Sequence, residues 1–582
     1  MENKRKNLKR NQIVTFLVTV AVVVLVNVVG SFVFTRFDLT SEKRYTLSPT
    51  TKEILNNLDD YVYFKVYLEG DFQAGFKKLR RETKEMLDEL RAYSKYLDYE
   101  FINPSESADA SERNETYKQL YQAGLIPTDV VVKNSDGSSQ QMVIWPGALV
   151  SYRNNTEIPI DLLESQLGQS SEEALNASMQ NQENRLIDSG KKFTRLQKPN
   201  IAFVQGHGEL DVQHVYDILQ TLGQNYNVDT ITIGGRIDAL IHRTQDETRE
   251  IKAFPSYDAI VIAKPTEPFD ERDKFLIDQY IMHGGKVLWL VEPVYATMDS
   301  LQSQESTIGL EQDLNLDDML FKYGVRLNRD LLLDLTCAAL PIRTGQVAGQ
   351  AQLEYFRWYY FPLLQAASSH PMVRNMNAIK ADFVSSMDPT TSADGVEQIP
   401  LLKTSNYTKV SGAPVFITLA MLRQAPDKRM FASKGKNVAY LLKGSFPSLY
   451  ANRIPQEIVD DQATDFMDES VPTAMIVVSD GDIIRNQIDI KTRKPLPLGF
   501  DQYTQNTYAN KEFIENAIGY LVEGEGMIDI RSRELKVRLL DMAKINQERL
   551  KWQIINTLVP IALIILLGLV LALVRKKKYS KK

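Results

Sequence analysis

Cysteine is almost missing from this chain: Cys337 is the only one in 582 residues. No disulfide can therefore close within it, and its stability has to come from packing. The apolar stretch around that residue, Leu331 to Leu340, suits a buried and inert thiol. Histidine is scarce too, with five in all. His207 and His214 are the one pair close in sequence, and a zinc site would want a third ligand of that kind. The phosphate-cradling pattern Gly-x-x-x-x-Gly-Lys-Ser/Thr does not occur, which removes the P-loop route to ATP hydrolysis. Neither does the Gly-x-Ser-x-Gly elbow of serine hydrolases. A Cys-x-x-Cys pair is impossible, so dithiol redox chemistry is excluded. Asp480-Gly481-Asp482 lacks the further carboxylates and closing Glu of a calcium loop and reads as a strand-end turn. The residues thus predict no catalytic group, no cofactor and no metal site.

Long hydrophobic runs are missing as well, except at the two ends. Ile13 to Phe34 and Ile554 to Val574 contain no charged residue. At about 1.5 Å of rise per residue, each reaches the roughly 30 Å of a bilayer core. Lys4, Arg5, Lys6, Lys9 and Arg10 precede the first run; Arg575, Lys576, Lys577, Lys578, Lys581 and Lys582 follow the second. Basic flanks favour the cytoplasmic side, so both tails are expected there, with Thr35 to Gln553 across the membrane. The first run is longer than the ~7–15 apolar residues of a signal peptide, and no Ala-x-Ala site follows it, which favours an uncleaved anchor. The overall net charge is −6. Setting the basic tails aside leaves a markedly more acidic remainder, which repels polyphosphates and makes nucleic acid an unsuitable partner.

Between the anchors the pattern is α/β. Ser48 before Pro49 is placed to cap a helix. A strand is expected over Val62 to Leu68, then a helix carrying Leu79, Thr83, Met86, Leu87 and Leu90. Leu97 to Ile102 reads as a second strand, followed by a polar helix from Glu112 to Ala123 and strands near Val130 and over Met142 to Tyr152. That order predicts a thioredoxin-like domain over 38–165, with Glu69-Gly70-Asp71-Phe72 where a redox member would carry its cysteines. Ser165 to Gly190 is polar and reads as a loop or short helix at a border. A second domain is expected over 195–525: strands at Ile201 to Val204, Val228 to Ile233, Tyr257 to Ala263 and Lys286 to Val291, with helices between. Gly284-Gly285 would end the helix bearing Phe275, Tyr280 and Ile281. Apolar strands alternating with helices predict a parallel sheet covered on both faces. Residues 298–470 read as an insertion, after which Ala474 to Ser479 and the helix Lys511 to Val522 rejoin the sheet. The remaining segments are cytoplasmic tails at 1–12 and 575–582, spans at 13–34 and 554–574, and a helical stalk at 531–553.

One turn invites a chemical reading. Gly206-His207-Gly208-Glu209 follows a strand and opens toward a helix, where open α/β sheets place their ligands. It is either a polar ligand site or a metal site held by His207, Glu209 and His214, or else a glycine-rich turn whose His and Glu cap the following helix.

Taken together, these residues resemble the auxiliary subunits of ABC-type transporters. Phe37-Asp38-Leu39-Thr40 and Lys43-Arg44-Tyr45-Thr46-Leu47-Ser48 directly after an N-terminal span carry the likeness. So do the Gly206 to Glu209 turn, Tyr257 to Pro265, Gly284-Gly285-Lys286 to Val291, Asp480-Gly481-Asp482 and Asn510 to Leu521. Pro495 to Gln502 and Arg531 to Lys536 are similar to the gliding-motility-associated members from Bacteroidetes, the GldG type. The resemblance implies a glutamine-amidotransferase-like, Rossmann-like domain without the amidotransferase cysteine. It also implies a non-enzymatic inner-membrane subunit working with a GldF-like ABC permease and, through it, a GldA-like cytoplasmic ATPase. The alternative is a periplasmic subunit that binds a solute or glycan and feeds the permease.

Overall fold

The structure, a computed structural model, describes residues 14–25, 47–133, 139–152, 157–163, 171–180, 182–183, 185–187, 198–245, 251–347, 350–374, 376–392, 395–423, 426–453, 465–525 and 542–579. Ser48 caps α1 (Pro49–Asn56) by accepting from the Thr51 amide, as the Ser-Pro pair requires. The chain continues through β1 (Val62–Val66), α2 (Ala74–Tyr93), β2 (Leu97–Phe101) and α3 (Ala110–Gln122). A hairpin of β3 (Thr128–Lys133) and β4 (Ser139–Ile144) leads to β5 (Gly147–Tyr152), β6 (Ile158–Asp161) and α4 (Ser171–Gln180). The sheet order is β2-β1-β5-β6: β1 and β2 run parallel, and the other two pairs are antiparallel. Val62, Phe64 and Val66 alternate into the core with Leu79, Leu87 and Leu90 of α2. Leu186 and Ile187, in the polar stretch read as a border, are buried in the same core.

The larger unit begins with β7 (Asn200–Gln205), α5 (Tyr216–Gly223) and β8 (Asn227–Thr232). After a short hairpin, β9 (Ile241–Gln245) with β10 (Ile251–Pro255), come β11 (Ala259–Ala263), α6 (Glu271–Met282) and β12 (Val287–Leu290). The inserted region supplies β13 (Cys337–Val347), β14 (Gln350–Ala366), β15 (Glu397–Lys403) and β16 (Asn437–Gly444). The chain then returns as β17 (Thr473–Val478) and α7 (Asn510–Glu523). These strands form one ten-stranded sheet in the order β13-β14-β15-β16-β17-β12-β11-β7-β8, with the short strand Ile379–Lys380 paired to β14. From β17 to β8 all neighbours are parallel; from β17 to β13 all are antiparallel.

The parallel strands read as continuous apolar runs because both faces are buried. Ile201, Val261, Leu288 and Ile476 face the core that holds α5 and α7. Ala202, Ile260, Trp289 and Val477 face the core that holds α6. The insertion therefore does more than decorate the surface. Its first part holds the helix Met298–Ser303 and the strand Ser306–Glu311.

Segments of the insertion also cover α6, so that its polar residues Lys274 and Asp278 are fully buried. Asp278 accepts from the Tyr323 hydroxyl (2.7 Å), the Leu449 amide (2.8 Å), the Ser448 hydroxyl (2.7 Å) and the Gln279 amide group (3.0 Å). Asp334 works the same way, accepting from the Thr336 and Ser405 amides and the Ser405 and Thr408 hydroxyls. Each is a buried carboxylate satisfied by neutral donors and pinning a loop.

Of the first predicted span only Val14–Leu25 is described, as an apolar helix; the rest of 13–34 lies outside the described residues. The other end forms a separate unit containing α8 (Met542–Tyr579), a 38-residue helix with Pro560 inside it. Its stretch Gln553–Lys577 is long and apolar enough to cross a membrane. Of the predicted stalk, 531–541 lies outside the described residues, and 542–553 forms the start of α8.

Candidate site at the carboxyl edge of the parallel sheet

Three neighbouring parallel strands end in a charged residue. Lys264 follows β11, Glu292 lies two residues past β12, and Asp480 lies two past β17, with Asp482 beyond it. Their side chains converge. The Lys264 ammonium lies 3.0 Å from Glu292 and 2.5 Å from Asp482, all three side chains being at most one-tenth exposed. Oxygens of Glu292, Asp480 and Asp482 lie within 4.8 Å of one another. That spacing would suit a cation, and the lysine ammonium supplies one.

Lys264 takes a left-handed backbone, φ 55°, which a non-glycine residue adopts at a cost of about 1 kcal/mol. Gly481 has to be glycine, because a Cβ there would run into the Lys264 side chain. The strained lysine and the bare glycine together let the ammonium fold back over the ends of the strands.

The insertion joins from the other side. Its Asp382 amide donates to Asp480 Oδ2 (2.8 Å), while the Asp482 amide donates to Asp480 Oδ1 (2.7 Å). Lys380 pairs with Asp382 at 3.0 Å and lies 4.3 Å over the Phe361 ring. Arg485 reaches Asp482 at 3.4 Å from a more exposed position.

Burial works against the charge on Lys264, yet Glu292 and Asp482 overcome it and hold the ammonium protonated far into alkali. Burial pushes Glu292 up to about 7 in spite of Lys264. Burial and the neighbouring Asp482, Glu292 and Asp382 drive Asp480 well above the carboxylate range. Asp482 goes the other way: Lys264 and Arg485 outweigh burial and keep it low. A lysine so firmly protonated is no nucleophile.

The turn singled out from sequence lies at the end of β7. Gly208 takes φ 72°, and a Cβ there would strike Thr266, so the turn depends on glycine. His207 and Glu209 are buried. The imidazole lies 3.1 Å from Glu209 through Nδ1 and 3.1 Å from Asp273 of α6 through Nε2, and it stacks on Phe269 at 3.7 Å. Glu209 also accepts from the His207 amide (2.7 Å), and Asp273 accepts from the Gly235 amide (2.6 Å). His214 is not brought into this group; its ring pairs with Asp211 at 2.7 Å. Both nitrogens of His207 are thus engaged in tying β7 to the start of α6.

Burial lowers the proton affinity of His207, but Glu209 and Asp273 more than restore it, so it sits above the ordinary imidazole value. The resulting stabilisation is full below about 6.5 and fades as pH rises through the raised value. His207→Gln is expected to cost about 2 kcal/mol near pH 5.5 and clearly less near pH 9. Denaturant unfolding at the two pH values checks this, and a loss independent of pH would contradict it. Cys337 is half-buried, and burial pushes its thiol up to about 12, so it is unreactive as its surroundings suggested.

Sequence reasoning singled out Asp480 and Asp482 as a turn and passed over Lys264, Glu292, Lys380 and Asp382 as site residues. The overlooked signal was a charged residue just past each of several consecutive apolar strands.

Comparison with known proteins fits this architecture. A protein of Borreliella burgdorferi described only as uncharacterized is 18% identical over 591 residues, covering 98% of this chain and 99% of that one. Among solved structures, the mmIFT52 N-terminal domain aligns with 56% of this chain and 98% of its own, at 12% identity and a TM-score of 0.31, too low to carry an argument. Residues 41–151 match a domain of unknown function. Residues 198–517, more than half of the chain and all of the parallel sheet, match the family described as an ABC-type uncharacterized transport system, and the chain belongs to that auxiliary family.

Proposed function

We propose that the chain is a non-catalytic auxiliary subunit of an ABC-type transport complex, anchored in the inner membrane with both tails cytoplasmic and its bulk on the periplasmic side. The observation that carries this reading is the transport-system family match over 198–517 combined with the apolar helix Gln553–Lys577 and the basic tail that follows it. No Walker motif stands in the sequence, so a separate ATPase must supply the energy. The subunit would pair with a permease of the GldF type and, through it, with an ATPase of the GldA type, serving gliding motility. The strand order β2-β1-β5-β6 favours the thioredoxin-like reading of the first domain. Five parallel strands clad on both faces favour the amidotransferase-like reading of the second. The protonated Lys264 and the internally paired His207 support a scaffold role for both clusters.

Two measurements test the reading. Protease added to intact spheroplasts should degrade the region between the spans and spare an epitope on either tail. Detergent-solubilised full-length protein should bring down a multispan permease together with its ATPase. Cleavage confined to the tails would overturn the topology. Isolation of the chain without either partner would overturn the transport role, and saturable binding of a solute or glycan would favour the solute-feeding alternative.

A further inference from the structure

The Lys264 cluster holds more buried carboxylates than cations, and it sits where the insertion meets the parallel sheet. We propose that this cluster carries a bound proton at neutral pH and acts as a pH-sensitive lock, whose deprotonation loosens the hold of the sheet on the Lys380–Asp382 segment.

The geometry supplies the argument. Glu292, Asp480 and Asp482 crowd their oxygens within 4.8 Å, and Lys264 is the one ammonium among them, touching Glu292 and Asp482. Asp480 has no cation contact among the described residues; its two oxygens are taken by the backbone amides of Asp382 and Asp482. Arg485 reaches only Asp482, from the exposed side. From the insertion, Lys380 is matched by its own Asp382, and Asp501 and Tyr508 lie close enough to Lys380 to act on it electrostatically. Three carboxylates around one buried ammonium cannot all stay ionised at low cost, so such groups share a proton, as close carboxylate pairs do. Burial raises both Glu292 and Asp480, but both oxygens of Asp480 already accept backbone amide hydrogens, so Glu292 is the place for it. Its Oε1 takes both Lys264 and the Gly481 amide (3.1 Å), which leaves Oε2 to carry the hydrogen.

The sign follows from the acid being raised. Burial brings Glu292 up to about 7 from the usual 4.5, so the folded chain binds a proton that the unfolded chain has released between those values. The contribution to stability is complete below about 4.5, falls as pH rises through about 7, and levels off above it. Deprotonation sets Glu292 against Asp480 and Asp482. The contact that gives way is the Asp382 amide on Asp480, which spans the joint between insertion and sheet.

The test compares full-length wild type with Glu292→Gln, which keeps the shape of the protonated acid without its charge, in detergent from about pH 5.5 to about pH 8.5. The wild type should lose roughly thirtyfold in its folding constant across that range. Glu292→Gln should show a much flatter profile and be the more stable of the two at the alkaline end. Amide exchange over 379–386, compared at the same alkaline pH, should be slower in Glu292→Gln than in wild type. A variant less stable than wild type at alkaline pH, with the slope unchanged, would overturn the proposal. Should the variant fail to fold, wild type alone decides: protection over 379–386, corrected for intrinsic rates, must fall as pH passes about 7, and constant protection refutes the lock.

Discussion

Lys264→Met is expected to lower the unfolding free energy by about 3–5 kcal/mol, the usual penalty for leaving buried charges without their partner. Methionine fills nearly the same volume, so little of the loss comes from packing. What disappears is the ammonium that lies 3.0 Å from Glu292 and 2.5 Å from Asp482. Those carboxylates then face each other and Asp480 with side chains at most one-tenth exposed. Deprotonation of Lys264 itself cannot relieve the pair in wild type, because Glu292 and Asp482 hold the ammonium in its charged form. The companion variant separates charge from shape. Compared at about pH 8.5, where Glu292 of the wild type is ionised, Lys264→Met combined with Glu292→Gln removes one charge of each sign and should recover a substantial part of the loss, a coupling that neighbours in one network are expected to show. Denaturant unfolding of the full chain in detergent measures both. A single-variant loss below about 1 kcal/mol would mean that the cluster is better solvated than its burial indicates.

How far this arrangement could be read beforehand depends on whether the deciding contacts are local. Ser48 followed by Pro49 fixes a helix start within three residues, and the cap is where the pair places it. The apolar runs at 201–204, 259–263 and 287–290 sit in the middle of the sheet because nothing but burial on both faces suits them. Thr473–Val478 joins the same sheet across an insertion of well over a hundred residues, and its unbroken apolar pattern was enough to suggest it. The glycine turn at 206–209 was also legible as a turn, but its His207 is tied to Glu209 and to Asp273 of α6 instead of capping the helix that follows, α5, which has no side-chain cap.

The antiparallel half of the sheet was not legible. β13 to β16 carry mixed polar and apolar residues whose role appears only once each strand has a neighbour, and pairing is a long-range property. Lys274 and Asp278 are charged residues on a helix, and only the overlying insertion makes them interior. The Lys264 cluster escaped for the same reason. Its members come from four stretches of chain, each carrying one or two ordinary surface-type residues, and their meaning lies in convergence at one sheet edge.

Asp278 offers the second large effect, and it bears on how the insertion is held over α6. Asp278→Ala is expected to cost about 3–4 kcal/mol, since it removes the acceptor of four donors at once and leaves buried groups unsatisfied. Three of those donors, Tyr323, Ser448 and Leu449, belong to the insertion, so the loss should be felt there first. Limited proteolysis of the variant should speed up near 446–453 while the N-terminal domain at 47–187 stays resistant. Asp278→Asn discriminates between a need for charge and a need for acceptors. Its carbonyl can keep Tyr323 and the Leu449 amide, and the Ser448 hydroxyl can turn to accept from the new amide group; only Gln279 loses its partner. More than half of the alanine loss should therefore be recovered. Burial already raises the proton affinity of Asp278 against the pull of its donors, which agrees with a site where charge is tolerated rather than required. An asparagine variant as unstable as alanine would show instead that the ionised carboxylate itself holds the insertion in place.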